Sequence, residues 1–374
     1  MSRRKVLTII GTRPEAIKLA PVIMELERRP GTFESLVCTT GQHREMLAQA
    51  LEPFGLEPHH ELRIMLPGQT LAQVTARAME GLDQVIAAEK PQLVLVQGDT
   101  TTALCGALSA YYHRVQVGHI EAGLRTGDKY APFPEEVNRR LIGQVADYHF
   151  APTARAAEAL ASEGIPRERI FVTGNTVIDA LLWTRQRVRE ERPQLPAQLQ
   201  QAIDGRQVVL VTGHRRESFG EGFEEICSAI REVADVADDV VFVYPVHLNP
   251  NVREPVNRIL GHHPRVLLTE PLPYAALVWV MDRATIVLTD SGGIQEEAPS
   301  LGKPVLVMRE TTERPEGVEA GNARIVGVKR AHIAEQLSRL LRHPGERALM
   351  TQASNPYGDG KAAPRIVDIL ARLC

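Results

Sequence analysis

Three carboxylates stand where they could do chemistry. Glu121 and Glu135 lie in "GHIEAGLRTGDKYAPFPEEVNRR", Gly118–Arg140, and Asp99 in "QGDTTT". Brought together, such groups could move protons, one ionised and another protonated. Each also fits a plainer account. Glu121 ends an apolar run and is expected to be partly buried, so it needs a partner, and Arg125 is the nearest candidate. Glu135 and Glu136 follow Pro134, a natural first helical residue, so both are expected in a first turn where the helix dipole favours anions. Glu135 and Arg139 are four apart, as are Glu136 and Arg140, which suits surface ion pairs. Asp99 would also serve well as an N-cap.

A second set of residues suits anions. In "GTRPEAIK", Gly11 permits a sharp turn, Pro14 suits the first helical position, and Arg13 stands just before it. A helix N-terminus with a guanidinium can hold a phosphate, and Lys18 lies one turn on; an ordinary turn with a surface Arg fits equally well. In "TDSGGIQEEAPSLGKP", Gly292 and Gly293 let backbone N–H groups approach an anion, and Ser291 adds a hydroxyl or simply an N-cap. Glu296 and Glu297 read as first-turn acids, and Glu297 could instead accept hydrogen bonds from a ribose diol. "TGHRRESFG" sets His214, Arg215 and Arg216 after a strand, where His214 could contact a phosphate or donate a proton. His247 in "YPVHLNP" is a weaker signal of the same kind. No GxGxxG and no GxxxxGK[ST] occurs, which argues against a nicotinamide site or a P-loop.

These residues follow strands. Short β-branched runs at 5–10, 35–40, 92–97, 115–120, 147–151 and 169–174 alternate with helix-like segments near 14–29, 43–53, 70–89, 101–113, 135–145 and 153–163. After a polar, proline-bearing stretch at 190–206, strands are expected at 207–213, 240–245, 265–270, 284–290, 304–308 and 323–328. Helices are expected near 222–237, 250–260, 274–282, 294–302 and 331–342. Such alternation implies βαβ units and parallel sheets. The expected fold is α/β, with two Rossmann-like doubly wound parallel-sheet domains around a central cleft. The first spans 1–175, a connecting helix and linker spans 176–206, and the second spans 207–360. A terminal helix at about 361–374 could pack back on the first domain.

Composition narrows the class. The chain has 374 residues, 44% hydrophobic, and a formal net charge of -3. That balance argues against bulk nucleic acid as a partner. Cys38, Cys105, Cys227 and Cys374 show no ligand or disulfide spacing, so no metal site is expected. "MSRRKVLTII" is too short in apolar residues for a signal peptide, and no run of 18 apolar residues exists. A soluble, cytoplasmic protein with no membrane partner is the expectation.

Taken together, "GTRPEAIKLAPVI", "TGQHREML", "QGDTTTAL", "GHIEAGLRTGDKYAPFPEEVNRR", "TGHRRESFG", "YPVHLNP", "TDSGGIQEEAPSLGKPVLVMRETTERPEGVEAG" and "NPYGDGKA" resemble the non-hydrolysing bacterial UDP-N-acetylglucosamine 2-epimerases. The resemblance runs in order from about residue 5 to the C-terminus. It implies a GT-B-type fold and reversible conversion of UDP-GlcNAc to UDP-ManNAc by loss and re-addition of UDP through a glycal-like intermediate. No nicotinamide or metal cofactor is implied, and a homodimer is. Carried over by motif, Asp99, Glu121 and Glu135 are the acid–base candidates and His214 assists at the diphosphate. Arg13, Lys18, Arg139, Ser291, Gly292, Gly293 and Glu297 would bind UDP or the sugar. Gln42, His43, Arg215 and His247 match stretches that hold a second, allosteric UDP-GlcNAc. Burial favours Glu121 as the protonated acid, and the helix dipole favours Glu135 as the ionised group. Asn322 in "EAGNAR" stands where Thr is common. The alternatives are a hydrolysing epimerase, a GT-B glycosyltransferase using a UDP-sugar, or a UDP-sugar-binding sensor.

Overall fold

The structure, a computed structural model, describes residues 3–41, 47 and 50–373. The chain divides into two units, Met1–Ala180 with Tyr357–Cys374, and Leu181–Pro356. The first crossing falls inside the helix Thr176–Glu190.

The first unit holds a parallel seven-stranded sheet: β1 (Arg4–Ile10), β2 (Phe33–Thr39), β3 (His60–Glu61), β4 (Leu93–Gln97), β5 (Gln116–Ile120), β6 (Tyr148–Ala151) and β7 (Ile170–Val172). Their order is β3-β2-β1-β4-β5-β6-β7. β3 escapes sequence reasoning because two polar residues carry no periodicity; only their ladder to Cys38 and Thr39 makes them a strand. The helix expected at 43–53 lies largely outside the described residues. Elsewhere threonines start the helices. The side chains of Thr12, Thr70, Thr100 and Thr153 each accept an N–H from the first turn, satisfying a donor that would otherwise be orphaned.

The second unit carries β8 (Gln207–Thr212), β9 (Val240–Pro245), β10 (Val266–Thr269), β11 (Ile286–Thr289), β12 (Val305–Val307) and β13 (Ala323–Ile325), in the order β10-β9-β8-β11-β12-β13. Both faces of this parallel sheet are covered. Val209, Val211, Phe242 and Tyr244 pack on one side, and Val208, Leu210, Val241 and Val243 on the other. That two-sided burial explains why the strands read as continuous apolar runs rather than alternating ones. The polar stretch at 190–206 contains a helix, Ala197–Ile203, whose Leu199 and Ile203 join this core. Its two anchors fall between polar residues, so the stretch reads as linker. Helices Pro315–Glu319 and Pro344–Gln352 were likewise not anticipated.

The final helix, Ala362–Arg372, belongs to the first unit. Asp179 accepts the N–H groups of Ala362 and Ala363 at 3.1 and 2.9 Å, and Asp368 pairs with Arg29 at 2.7 Å.

In each sheet the chain reverses its direction of strand addition once, between β1 and β4 and between β8 and β11. Loops leaving the carboxyl ends of those strands diverge there and leave room for ligands. The turn after β5 leans on the same region and is tightly built. Gly123 has φ +93°, and a Cβ there would stand 2.2 Å from the Ala156 carbonyl oxygen. Backbone cannot yield as a side chain can, so Gly123→Ala should cost about 3 kcal/mol or more in urea unfolding. An unchanged midpoint would contradict this packing.

Candidate functional site

The first unit gathers charge at the ends of β4 and β5. Glu121 leaves β5 with φ +61°, a left-handed conformation that costs a non-glycine residue about 1 kcal/mol or more. Its side chain is thereby turned onto Lys18 of the helix Arg13–Glu27, whose ammonium donates to Oε2 at 2.5 Å. The Gln97 amide donates to the same oxygen at 2.8 Å. Both donors stabilise a carboxylate. Asp99 follows β4, and Arg139 of the helix Glu135–Val145 donates to its Oδ2 at 2.5 Å. Burial nevertheless raises the Asp99 pKa; Arg139 and Lys18 oppose the rise and the Glu121 charge assists it.

Several expected contacts are replaced. Arg125 pairs with Glu163, not Glu121. A helical Lys reaches a strand end that a residue four positions along the chain cannot face. Glu121 sits among cationic and amide donors, which argues against the neutral acid expected of it. Thr100, not Asp99, caps the helix Thr101–Tyr112, freeing Asp99 for Arg139. Arg139 makes no ion pair with Glu135; it pairs with Asp99 and Glu136 instead. Glu135 stands half-buried in the first turn with Pro134 as N-cap. Glu136 is fully buried rather than a surface residue: it accepts the N–H groups of Thr126 and Gly127 and pairs with Arg140. It therefore anchors the loop that Glu135 follows.

The turn after β1 also differs from expectation. The helix begins at Arg13, with Pro14 second. The two N–H groups that lead into it are engaged: Gly11 and Thr12 N–H both donate to Glu15 Oε2, at 3.1 and 2.6 Å, and Thr12 completes a capping box. A buried carboxylate thus takes the N–H groups of the turn that precedes Arg13.

Glu15 is 1% exposed. Desolvation pushes its pKa up to about 7, against hydrogen bonds from Thr100, Thr12 and Gly11. For an acid raised on folding, the native state binds more protons than the unfolded state between the two pKa values. Folding stability should therefore fall as pH rises from about 4.5 to 7. Glu15→Gln should flatten that slope by an amount of the order of a few kcal/mol, read from urea midpoints across this range. An identical slope in the variant would count against it.

The second unit gathers cations and N–H groups at the ends of β8 and β11. Asp290 is fully buried, and its Oδ2 accepts the backbone N–H groups of His214 and Arg215 at 2.6 and 2.8 Å. His214 Nδ1 lies 3.4 Å from the other Asp290 oxygen, and its ring stacks on His247 with centroids 5.5 Å apart. Burial lowers the His214 pKa, Asp290 opposes this, and Arg215 and His247 add to it. The helix Gly292–Ser300 begins beside them, and Ser291 makes no capping bond, so its first-turn N–H groups are uncapped. A Cβ on Gly292 would stand 3.8 Å from Arg314 Nη2 and 3.9 Å from Arg215 Nη2. Two guanidiniums thus face a helix N-terminus, an arrangement made for phosphate oxygens. Arg215 Nε is buried with no hydrogen-bond partner among the described residues.

Glu296 and Glu297 fall in the second turn of this helix, not the first, because the helix begins at Gly292. Glu296 pairs with Arg314, and Glu297 accepts from the Tyr274 hydroxyl at 2.6 Å. Arg216 is exposed. Arg215 and His247, expected at a second nucleotide sugar, join His214 and Gly292 here; Gln42 and His43 lie outside the described residues. Asn322 is buried and donates to the Ser354 carbonyl at 3.1 Å, a packing role.

Arg314, Asp290, Gln97 and Glu15 were missed. Arg314 sits in "RETTERPEG", whose charges look like a solvated loop. Asp290 offered a signal, an acid closing an apolar strand just before Ser-Gly-Gly, and Glu15 another, the Thr-x-x-Glu spacing of a capping box.

The sequence model of the family described as "UDP-N-acetylglucosamine 2-epimerase" matches residues 24–371. The UDP-N-acetylglucosamine 2-epimerase of Escherichia coli (strain K12) is 56% identical over 369 residues, 98% of each chain. That of Bacillus subtilis (strain 168) is 50% identical over 372 residues, 99% of this chain and 96% of its own. The crystal structure of UDP-GlcNAc 2-epimerase from Neisseria meningitidis bound to UDP-GlcNAc superposes with a TM-score of 0.90 at 46% identity, covering 98% of this chain and 100% of that one.

Proposed function

Because the chain belongs to the UDP-N-acetylglucosamine 2-epimerase family, we propose that it interconverts UDP-N-acetylglucosamine and UDP-N-acetylmannosamine without hydrolysing either. A base removes the C2 proton, the C2–H electrons form the C1–C2 double bond, and the C1–O bond breaks with its electrons leaving on UDP. UDP oxygen then attacks C1, and C2 takes a proton on the opposite face.

The observation that carries this reading is the pair of carboxylates at neighbouring strand ends, each held by a cation. Glu121 is held by an ammonium and an amide, and burial raises the Asp99 pKa against the Arg139 guanidinium. We assign Glu121 as the base and Asp99 as the proton donor. Glu135 supplies negative charge one turn from Arg139. Lys18 and Arg139 orient the two carboxylates, and Arg13 supplies positive charge at the β1 turn. In the second unit, Arg215, Arg314 and the N–H groups of Gly292 and Gly293 hold the diphosphate as its charge grows. Ser291 adds a hydroxyl, His214 with His247 assists the departing oxygen, and Glu297 receives the ribose. We infer a homodimer, as the family resemblance implies, that works in the cytoplasm. No helix among the described residues is long and apolar enough to cross a membrane.

Proton NMR of UDP-GlcNAc incubated with the protein in D2O tests the reading. UDP-ManNAc carrying deuterium at C2 is expected. Free ManNAc with UDP would assign hydrolysis instead, and retention of every C2 proton would reject epimerisation.

A further inference from the structure

We propose, on the basis of the reaction assigned above, that Glu15 is a positioning residue that ties the Arg13 turn to the Asp99 turn and so holds Asp99 in its working orientation. An ordinary capping-box glutamate returns one hydrogen bond to the N-cap backbone and stays near solvent. Glu15 does more. Its Oε2 takes the N–H groups of Gly11 and Thr12, and its Oε1 takes the Thr100 hydroxyl at 2.7 Å, so one buried side chain bridges the turns after β1 and β4. The turns abut: a Cβ on Gly11 would stand 2.2 Å from Thr102 Oγ1.

Toward an ionised Glu15 the Thr100 hydroxyl can only donate, while its oxygen accepts the Ala103 N–H at 3.0 Å as the helix cap. The rest of the Asp99 turn is held just as firmly. Gly98 N–H donates to the Ile120 carbonyl at 2.9 Å, and His119 Nε2 donates to the Gly98 carbonyl at 2.7 Å. Asn138 Nδ2 donates to the Asp99 carbonyl at 2.9 Å. With its backbone fixed on both sides, Asp99 has only its own side-chain torsions to set, and Arg139 sets them.

The position asks for a carboxylate rather than any polar side chain. All three partners are donors, and an amide would turn an NH2 toward one of them. A cap alone would not require burying an ionisable group at N3. Placing Asp99 correctly against the substrate is a benefit that would justify that cost, since small misplacements of a proton donor are expensive in rate.

The test compares Glu15→Gln, Thr100→Val and the double variant with the wild-type chain, each checked for fold by circular dichroism. Each single variant is expected to lower kcat about tenfold or more, with KM for UDP-GlcNAc and Kd for UDP held within about threefold. The double variant should be no slower than the slower single, because both break one link. Thr100→Ser, which keeps the hydroxyl, should keep kcat. Full turnover in Glu15→Gln, a loss confined to KM, or multiplying losses in the double variant would overturn the proposal. Should Glu15→Gln fail to fold, the contrast between Thr100→Val and Thr100→Ser decides it. A wild-type chain without turnover removes the epimerase reading and this one with it; an active wild type with an unimpaired Glu15→Gln removes this one alone.

Discussion

Glu121→Gln is expected to lower the epimerisation rate by about a thousandfold or more, with the affinity for UDP held within about threefold. The amide keeps the size of the side chain and can still accept from Gln97 or Lys18, but it cannot take a proton from C2. Because the diphosphate is assigned to the second unit, UDP should not sense the change. The backbone supports a specific role for this side chain. A residue at φ +61° is better tolerated as glycine, yet a glutamate stands there, 8% exposed, aimed at Lys18. Glu121→Gly should therefore abolish turnover as completely while removing the left-handed strain. Deuterium incorporation at C2 and UDP titration calorimetry measure both arms. A Glu121→Gln variant that kept a tenth of the parental rate would remove Glu121 from the base role.

Arg314→Ala is the second large effect, and it acts on binding and folding together. Losing one guanidinium at the Gly292 N-terminus should weaken UDP binding about a hundredfold. Glu296, with 2% of its side chain exposed, would lose the cation beside it, so urea unfolding should show a cost of about 3 kcal/mol. Arg314→Lys should not restore affinity, because an ammonium cannot reach Glu296 and a phosphate as a planar fork does. Arg215→Ala should weaken UDP with little effect on stability, since among the described residues its side chain forms no ion pair. Parental UDP affinity in Arg314→Ala would show that Arg314 serves the fold and not the ligand.

The elements were legible because they are governed by local rules. β9 and the helices Glu135–Val145 and Pro250–Leu260 sit where periodicity and capping residues set them, each signalled within a dozen residues. What failed locally was short or hidden. β3 has only two residues, and Ala197–Ile203 shows two buried side chains inside a polar stretch. The candidate site was legible as a list of strand ends, since parallel sheets collect polar loops at their carboxyl edges.

Partnerships were not legible, and the reason is physical. Sequence proximity suggested Arg125 for Glu121 and Arg139 for Glu135, because those pairs lie four apart. The fold instead delivers Lys18 from 103 residues away and gives Arg139 to Asp99 across 40. A side chain's charge state depends on what burial removes and what distant elements return, and neither is encoded in spacing. The sequence by itself determined two doubly wound units, the strand ends that carry chemistry, and the family. Only the tertiary structure decided that Glu121 is held by Lys18 and Gln97, that Glu15 takes the N–H groups ahead of Arg13, and that Arg314 stands beside the start of the Gly292 helix.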